Sequence, residues 1–267
     1  MKIRINEKPA EITEGVTLGA VVKIRKADAD VLILNGFPAT PDTMLRDGDE
    51  LFLIRRGEMP TEEELEGLMA SRHTPGIHAR LKQASVGIAG TGGLGSAVAI
   101  ALARVGVGRL VIADFDVVEP SNLNRQQYFI DQIGRYKVDA LAENLKRINP
   151  HVTVEAHCVL LDPENIPVIF SDASIIVEAF DRADMKAMLV NRLLESLPQS
   201  YVVAASGLAG YGSSNGIVTR KVSRRFFLTG DGTSEAAPGN GLMAPRVGIA
   251  AHHQANQVVR IILGEDV

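Results

Sequence analysis

The sequence predicts an α/β protein in two parts: a small strand-rich α+β unit, then a mostly parallel sheet with helices on both faces. Three observations carry this. Before Pro60, short apolar strands are separated by turn residues. After Pro75-Gly76, apolar runs at residues 86–89, 110–113, 152–156, 175–177 and 201–205 alternate with amphipathic helical stretches. A glycine-rich turn joins the first of these runs directly to a helix rich in Ala and Val.

In order, residues 2–6 alternate as a strand, Glu7-Lys8-Pro9 reads as a turn, and residues 17–26 form a short helix with Leu18, Val21 and Val22 on one face. Residues 31–34 are a strand running into the turn pair Asn35-Gly36, and residues 50–54 follow Asp47-Gly48-Asp49 as another. This order, with Leu34-Asn35-Gly36 and Asp47-Gly48-Asp49-Glu50-Leu51, resembles the ubiquitin-like (β-grasp) sulfur carriers of the ThiS/MoaD type. Those carriers act through a free Gly-Gly tail. Here Arg55-Arg56-Gly57 continues into Glu58-Met59-Pro60, and a peptide-bonded glycine has no carboxylate to activate. Thr61 and Glu64 have capping-box spacing ahead of Leu65, Leu68 and Met69, which starts a linking helix. The expected division is residues 1–57, a connection over 58–80, and a second domain over 81–267.

At 267 residues the chain exceeds the ~100–200 of one usual domain, in keeping with two. A net charge of −4, with no basic run evident, offers nothing to a nucleic-acid backbone or an anionic membrane. No apolar run approaches the ~20 residues that span a bilayer, and the N-terminus lacks a signal-peptide core, so the expected location is the cytoplasm. A lone cysteine, Cys158, excludes an internal disulfide and any multi-cysteine zinc site. It sits where a strand ends and reads as a buried structural thiol.

The chemistry is concentrated after residue 85. Gly90-Thr91-Gly92-Gly93-Leu94-Gly95-Ser96 follows a strand and opens a helix, the context in which backbone N–H groups and the helix dipole receive a phosphate. Asp114 ends the next strand, placed for ribose hydroxyls; to this point an ordinary nicotinamide-dinucleotide domain fits as well. Beyond it lie Asp114-Phe115-Asp116, then Ser121-Asn122-Leu123-Asn124-Arg125-Gln126-Gln127, then Lys137. Two cations past the glycine turn suit a triphosphate, whose charge must be neutralised before a nucleophile approaches.

These residues, over roughly 70–264, resemble the ThiF/MoeB adenylating enzymes, relatives of ubiquitin activation. The resemblance implies a Rossmann-like domain that binds ATP, with Gly90, Gly92, Gly93 and Gly95 along the phosphates and Asp114 on ribose. Asn122, Arg125, Gln126 and Lys137 would orient and neutralise the phosphate chain. Asp181, after the fourth strand, would hold Mg²⁺, which makes Arg125, Lys137 and Asp181 the catalytic set. Asp116 fits either the family's second Asp or a local turn cap. The pattern also departs from the family: there are no Cys-x-x-Cys pairs, hence no zinc, and no cysteine for a persulfide or thioester step. An arginine lent by a partner subunit would be Arg72 or Arg80. The paired His252-His253 points to different helix faces and does not suggest a metal, and residues 230–239 form a long connection that is either a lid or a plain loop.

The expected function is ATP-dependent adenylylation of the C-terminal glycine carboxylate of a ubiquitin-like sulfur carrier, of the thiamine-biosynthesis type by resemblance, in a homodimer. The alternatives are dehydration of a modified tRNA base by the same adenylation chemistry, a nonenzymatic nucleotide-binding scaffold for a carrier, and a nicotinamide oxidoreductase.

Overall fold

A computed structural model describes residues 1–265, apart from the side chain of Glu63. The chain divides into two compact units, Met1–Ala79 and Arg80–Val267.

In the first unit a mixed five-stranded sheet is built from β1 (Lys2–Ile5), β2 (Lys8–Glu11), β3 (Val31–Leu34), β4 (Phe37–Pro38) and β5 (Glu50–Ile54), in the order β2-β1-β5-β3-β4. β1 and β5 pair in parallel and the other neighbours antiparallel, which is the β-grasp arrangement. Helix α1 (Leu18–Arg25) buries Leu18, Val21 and Val22 with Ile3, Leu45, Leu51 and Leu53. The turn expected at Glu7-Lys8-Pro9 lies one step earlier, at Asn6 and Glu7, both with positive φ, and Lys8-Pro9 begins β2. Pro9 is tolerated because β2 is an edge strand.

Thr61 and Glu64 make the reciprocal capping box that starts α2 (Glu62–Ala70). A Cβ at Gly67 of α2 would lie 2.5 Å from Glu7 Cγ, and one at Gly36 2.7 Å from the His73 carbonyl, so α2 and the turn after it close on the sheet's loops. Gly57 is exposed and internal. The residues around it are tied back by Arg55–Asp28 (2.8 Å), Arg56–Asp30 (3.2 Å) and Lys26–Glu58 (2.6 Å) ion pairs.

The second unit holds seven strands: β6 (Ser85–Ala89), β7 (Arg109–Asp114), β8 (Thr153–Cys158), β9 (Ile175–Glu178), β10 (Tyr201–Ala205), β11 (Val218–Ser223) and β12 (Phe226–Gly230). Their order is β11-β12-β10-β9-β6-β7-β8, parallel throughout except for the antiparallel edge strand β11. After β8 the chain crosses back to lay β9 on the other side of β6. The strand order therefore reverses between β6 and β9, and in such sheets the crevice for a ligand opens at the carboxyl ends there.

One face of the sheet packs α6 (Ile166–Ile169) and α7 (Ala183–Ser196) through Ile166, Leu189, Leu193 and Phe170, the last filling the space a Gly87 side chain would take. α4 (Gly93–Arg104) packs with α5 (Lys137–Ile148) and α8 (Ala244–Ile262). The short α3 (Ile77–Lys82) precedes β6. No helix among the described residues is long and apolar enough to cross a membrane.

Three readings change. Cys158 is exposed, because it is the last residue of β8 and its edge position leaves the side chain uncovered. Burial of the thiol's near surroundings and the charges of Asp139 and Asp114 raise its pKa, so it gains no thiolate character. Residues 218–230 form a hairpin, β11–β12, that was not foreseen. Arg220, Lys221, Arg224 and Arg225 fall within six consecutive positions at its turn, a local basic run that the net charge hides and that corrects the expectation of none.

The connection after β12 is also anchored at its start. Asp231 accepts from the backbone N–H groups of Thr233 and Ser234 (both 2.8 Å) and from Arg246 Nη2 (2.5 Å). Arg246 is buried and donates in addition to the Gly212 and Ser213 carbonyls at 2.7 and 2.9 Å. Burial raises the Asp231 pKa, but hydrogen bonds from Ser234, Thr233 and Arg246 outweigh it and hold the carboxyl well below its ordinary range. A depressed folded-state pKa contributes stability that is present above the unfolded value, near ~3.9, and is lost as the pH falls through the folded value. Asp231→Asn is therefore expected to cost about 3 kcal/mol at neutral pH by leaving Arg246 without its carboxylate. Urea melts at pH 7 and in strong acid check this: the gap between the two proteins closes in acid, and a gap of constant size would exclude the ion pair as its source.

Candidate functional site

The site assembles at the carboxyl ends of β6, β7 and β9. Gly90 leaves β6 with φ +90°, and a Cβ there would lie 2.9 Å from the Ala179 carbonyl beyond β9. The turn runs through Gly92 into α4, whose N-terminus carries no side-chain cap, so its first N–H groups are available to an anion. Gly95 is required by packing. A Cβ there would lie 1.9 Å from the Gly90 carbonyl oxygen, so the turn can fold back over α4 only if residue 95 has no side chain.

Asp114 ends β7 and braces this turn: one oxygen accepts from the Thr91 N–H (2.6 Å) and hydroxyl (2.9 Å), the other from the Asp116 N–H (2.9 Å). Thr91 is fully buried and its carbonyl accepts from Tyr128 Oη at 2.7 Å. Burial pushes the Tyr128 phenol well above its ordinary range, which keeps it a donor at any physiological pH. Ser96 donates to the Gly92 carbonyl (2.6 Å) and accepts from the Gln127 N–H (3.2 Å), and Asn144 of α5 holds the Gln127 carbonyl at 3.1 Å. The glycine turn and the Asn122–Gln127 stretch are thereby locked together. Tyr128, Ser96 and Asn144 were not singled out from sequence, since each works through a backbone group that only the folded chain brings near.

The polar residues read from the sequence gather around this frame. Arg125 lies over the turn, its Cγ 3.5 Å from where a Gly93 Cβ would stand, with Nη1 on the Ser121 carbonyl and Asn124 Oδ1. Gln126 is buried beside Gly92, and its Oε1 has no hydrogen-bond partner. Asn122 is buried in a 3-10 turn and accepts from the Glu119 N–H at 3.1 Å, so its side chain serves its own turn. Lys137, at the start of α5 and almost fully buried, is paired with Asp116 at 2.7 Å. Of the two open readings of Asp116, the turn cap is not seen among the described residues: its carboxylate instead accepts from Lys137 Nζ. Asp181 follows β9, is exposed, and makes no hydrogen bond or ion pair among the described residues.

The two arginine candidates separate. Arg80 donates to the Ile262 carbonyl at 2.9 Å, closing the end of α8, whereas Arg72 is exposed and has no such partner among the described residues. No cluster of three or more His, Cys, Asp or Glu among the described residues could hold a metal by itself.

A model of the ThiF family matches residues 68–267. The chain belongs to the ThiF family. Residues 1–57 of this ThiF-family chain match the ThiS-like ubiquitin model. The chain is 31% identical over 191 residues to the adenylyltransferase and sulfurtransferase UBA4 of Candida glabrata, covering 69% of this chain and 44% of that protein. It is 31% identical over 196 residues to the molybdopterin-synthase adenylyltransferase of Escherichia coli, covering 69% of this chain and 75% of that protein. It thus spans less than half the length of the UBA4 relative. Among solved structures it is similar in fold to the E. coli tRNA N6-threonylcarbamoyladenosine dehydratase TcdA in complex with ATP, with a TM-score of 0.68 and 20% identity, covering 78% of this chain and 98% of that one.

Proposed function

We propose that this chain is an ATP-dependent adenylyltransferase whose substrate is the C-terminal glycine carboxylate of a separate ubiquitin-like sulfur carrier. The observation that carries the reading is that the uncapped α4 N-terminus with Arg125 over its glycine turn, the Asp116–Lys137 pair and Asp181 follow the carboxyl ends of the neighbouring strands β6, β7 and β9 respectively. A carboxylate oxygen of the carrier attacks the α-phosphorus of ATP, the bond to the β-phosphate oxygen breaks, and pyrophosphate leaves. The product is an acyl-adenylate. A carboxylate is already nucleophilic at neutral pH, so no general base is required and catalysis reduces to positioning and charge neutralisation.

In this reading the glycine turn receives the phosphates, Asp114 holds the ribose, Gln126 beside Gly92 orients the phosphate chain, and Arg125 and Lys137 offset its charge. The donor set fits magnesium as nucleotides carry it. Mg²⁺ takes one or two carboxylates plus phosphate oxygens and waters, not an all-protein cage, and Asp181, just beyond β9, is an exposed carboxylate with no partner among the described residues. When bound, the ion supplies Lewis-acid charge stabilisation to the phosphates. Arg72 is the candidate for an arginine lent by a second copy in a homodimer. While Gly57 stays peptide-bonded the chain's own first domain offers no carboxylate to activate; it would act as a docking element, or become a carrier only on cleavage after Gly57. A thiamine-type carrier is the specific form of the proposal.

The test is ATP–pyrophosphate exchange with Mg²⁺, with and without a Gly-Gly-ended carrier. Carrier-dependent exchange is expected; ATP binding without exchange for any carrier supplied would leave a scaffold.

The basic hairpin favours one second reading, adenylation of an RNA base. Its signature would be a gel shift with bulk tRNA that weakens by about 100-fold between 50 and 200 mM salt, as about four phosphate contacts imply. Under the carrier reading no such shift is expected.

A further inference from the structure

One buried ionisable pair borders the same crevice and has no part in the chemistry above. Glu178 ends β9 and is fully buried. Its Oε1 accepts from the Phe180 N–H at 2.6 Å and from Lys186 Nζ at 3.0 Å. Its Oε2 accepts from Lys186 Nζ at 3.0 Å and from the Ala205 N–H at 3.4 Å. Lys186, on α7, also donates to the Ala205 carbonyl at 3.1 Å, and Gln254 of α8 donates to the Glu178 carbonyl at 3.0 Å. A carboxylate taken fully out of water and answered by a lysine that is 21% exposed is seldom more stabilising than two apolar side chains of the same volume. Stability alone does not account for them.

What the pair holds is a piece of geometry. The Phe180 N–H belongs to the turn between Glu178 and Asp181, and the carboxylate sets where that turn goes. On its other side the turn is sewn to the glycine segment: the Ala179 N–H donates to the Ala89 carbonyl at 2.9 Å, and the Ala179 carbonyl stands 2.9 Å from where a Gly90 Cβ would be. We propose that Glu178 and Lys186 are a positioning pair that fixes the Asp181 carboxylate, and the divalent cation it takes, against the glycine turn. This rests on the assignment of Asp181 above.

The test is ATP titration calorimetry with and without Mg²⁺ on the full chain. Glu178→Leu/Lys186→Met replaces the pair by apolar groups of similar size, and Glu178→Asp keeps the charge but draws the carboxylate back from the Phe180 N–H. Both are expected to bind ATP about 10- to 100-fold more weakly with Mg²⁺, as loss of the groups behind a metal ligand does, with Mg²⁺-free affinity within about twofold of wild type. A purely structural pair would lower melting temperature and both affinities together. Either variant, folded and with wild-type Mg²⁺ dependence, overturns the proposal. An Asp181→Ala protein with unchanged Mg²⁺ dependence removes the underlying assignment instead, and the positioning role with it.

Discussion

Asp181→Ala is expected to reduce carrier-dependent ATP–pyrophosphate exchange by about 10²- to 10³-fold, because in its proposed role the carboxylate would hold the magnesium that offsets developing phosphate charge. The side chain is exposed and makes no hydrogen bond or ion pair among the described residues, so the fold has no stake in it. Thermal melts of variant and wild type should coincide. That combination separates a chemical role from a structural one. Exchange that survives in Asp181→Ala, at saturating carrier and Mg²⁺, would remove this residue from the reaction.

Gly95→Ala has the second large effect, through a different cause. Its Cβ would sit 1.9 Å from the Gly90 carbonyl oxygen and 2.9 Å from the carbonyl carbon, and both are backbone atoms that no rotamer change can move aside. The turn must shift by about an ångström, at a cost of roughly 1–3 kcal/mol, and displacement on that scale is worth on the order of 100-fold in a positioned reaction. Both stability and ATP affinity are expected to fall. Gly92→Ala is the matched control. There the nearest atom to the new Cβ is Gln126 Nε2 at 3.8 Å, so the fold tolerates it while a methyl enters the phosphate path. Lower ATP affinity at unchanged melting temperature is expected for Gly92→Ala, measured by calorimetry and thermal unfolding. Equal ATP affinity in wild type and Gly92→Ala would mean that the glycine turn does not approach a ligand.

Much of the fold was legible because its signals are local. The glycine turn announces itself by sitting between an apolar run and an Ala-rich helix, and the capping box at Thr61 and Glu64 needs only three residues of context. Of the six parallel strands, β6, β7, β9 and β10 were short apolar runs, as strands covered on both faces are, and the edge strand β8 was legible only from its alternating Val152, Val154 and Ala156. The hairpin of β11 and β12 escaped because β11 is a half-exposed edge strand, Val218–Ser223, whose polar and basic residues carry no apolar period. Pro9 misled for a related reason, since a proline reads as a turn unless the strand is known to lie at an edge.

By itself the sequence determined the candidate site residues and the loops that carry them: the glycine turn, Asp114, the Asn122–Gln126 stretch, Lys137 and Asp181. Tertiary structure alone decided how they are held. The Lys137–Asp116 pair, Tyr128 on the Thr91 carbonyl, Arg80 on the end of α8 and the Glu178–Lys186 pair all join side chains to partners from other elements, often to backbone atoms. Such partners depend on strand order, and strand order is set by how the sheet reverses between β6 and β9. Local periodicity carries no record of that reversal, because burial energy rewards any arrangement that covers the same apolar faces, and only close packing in three dimensions selects one.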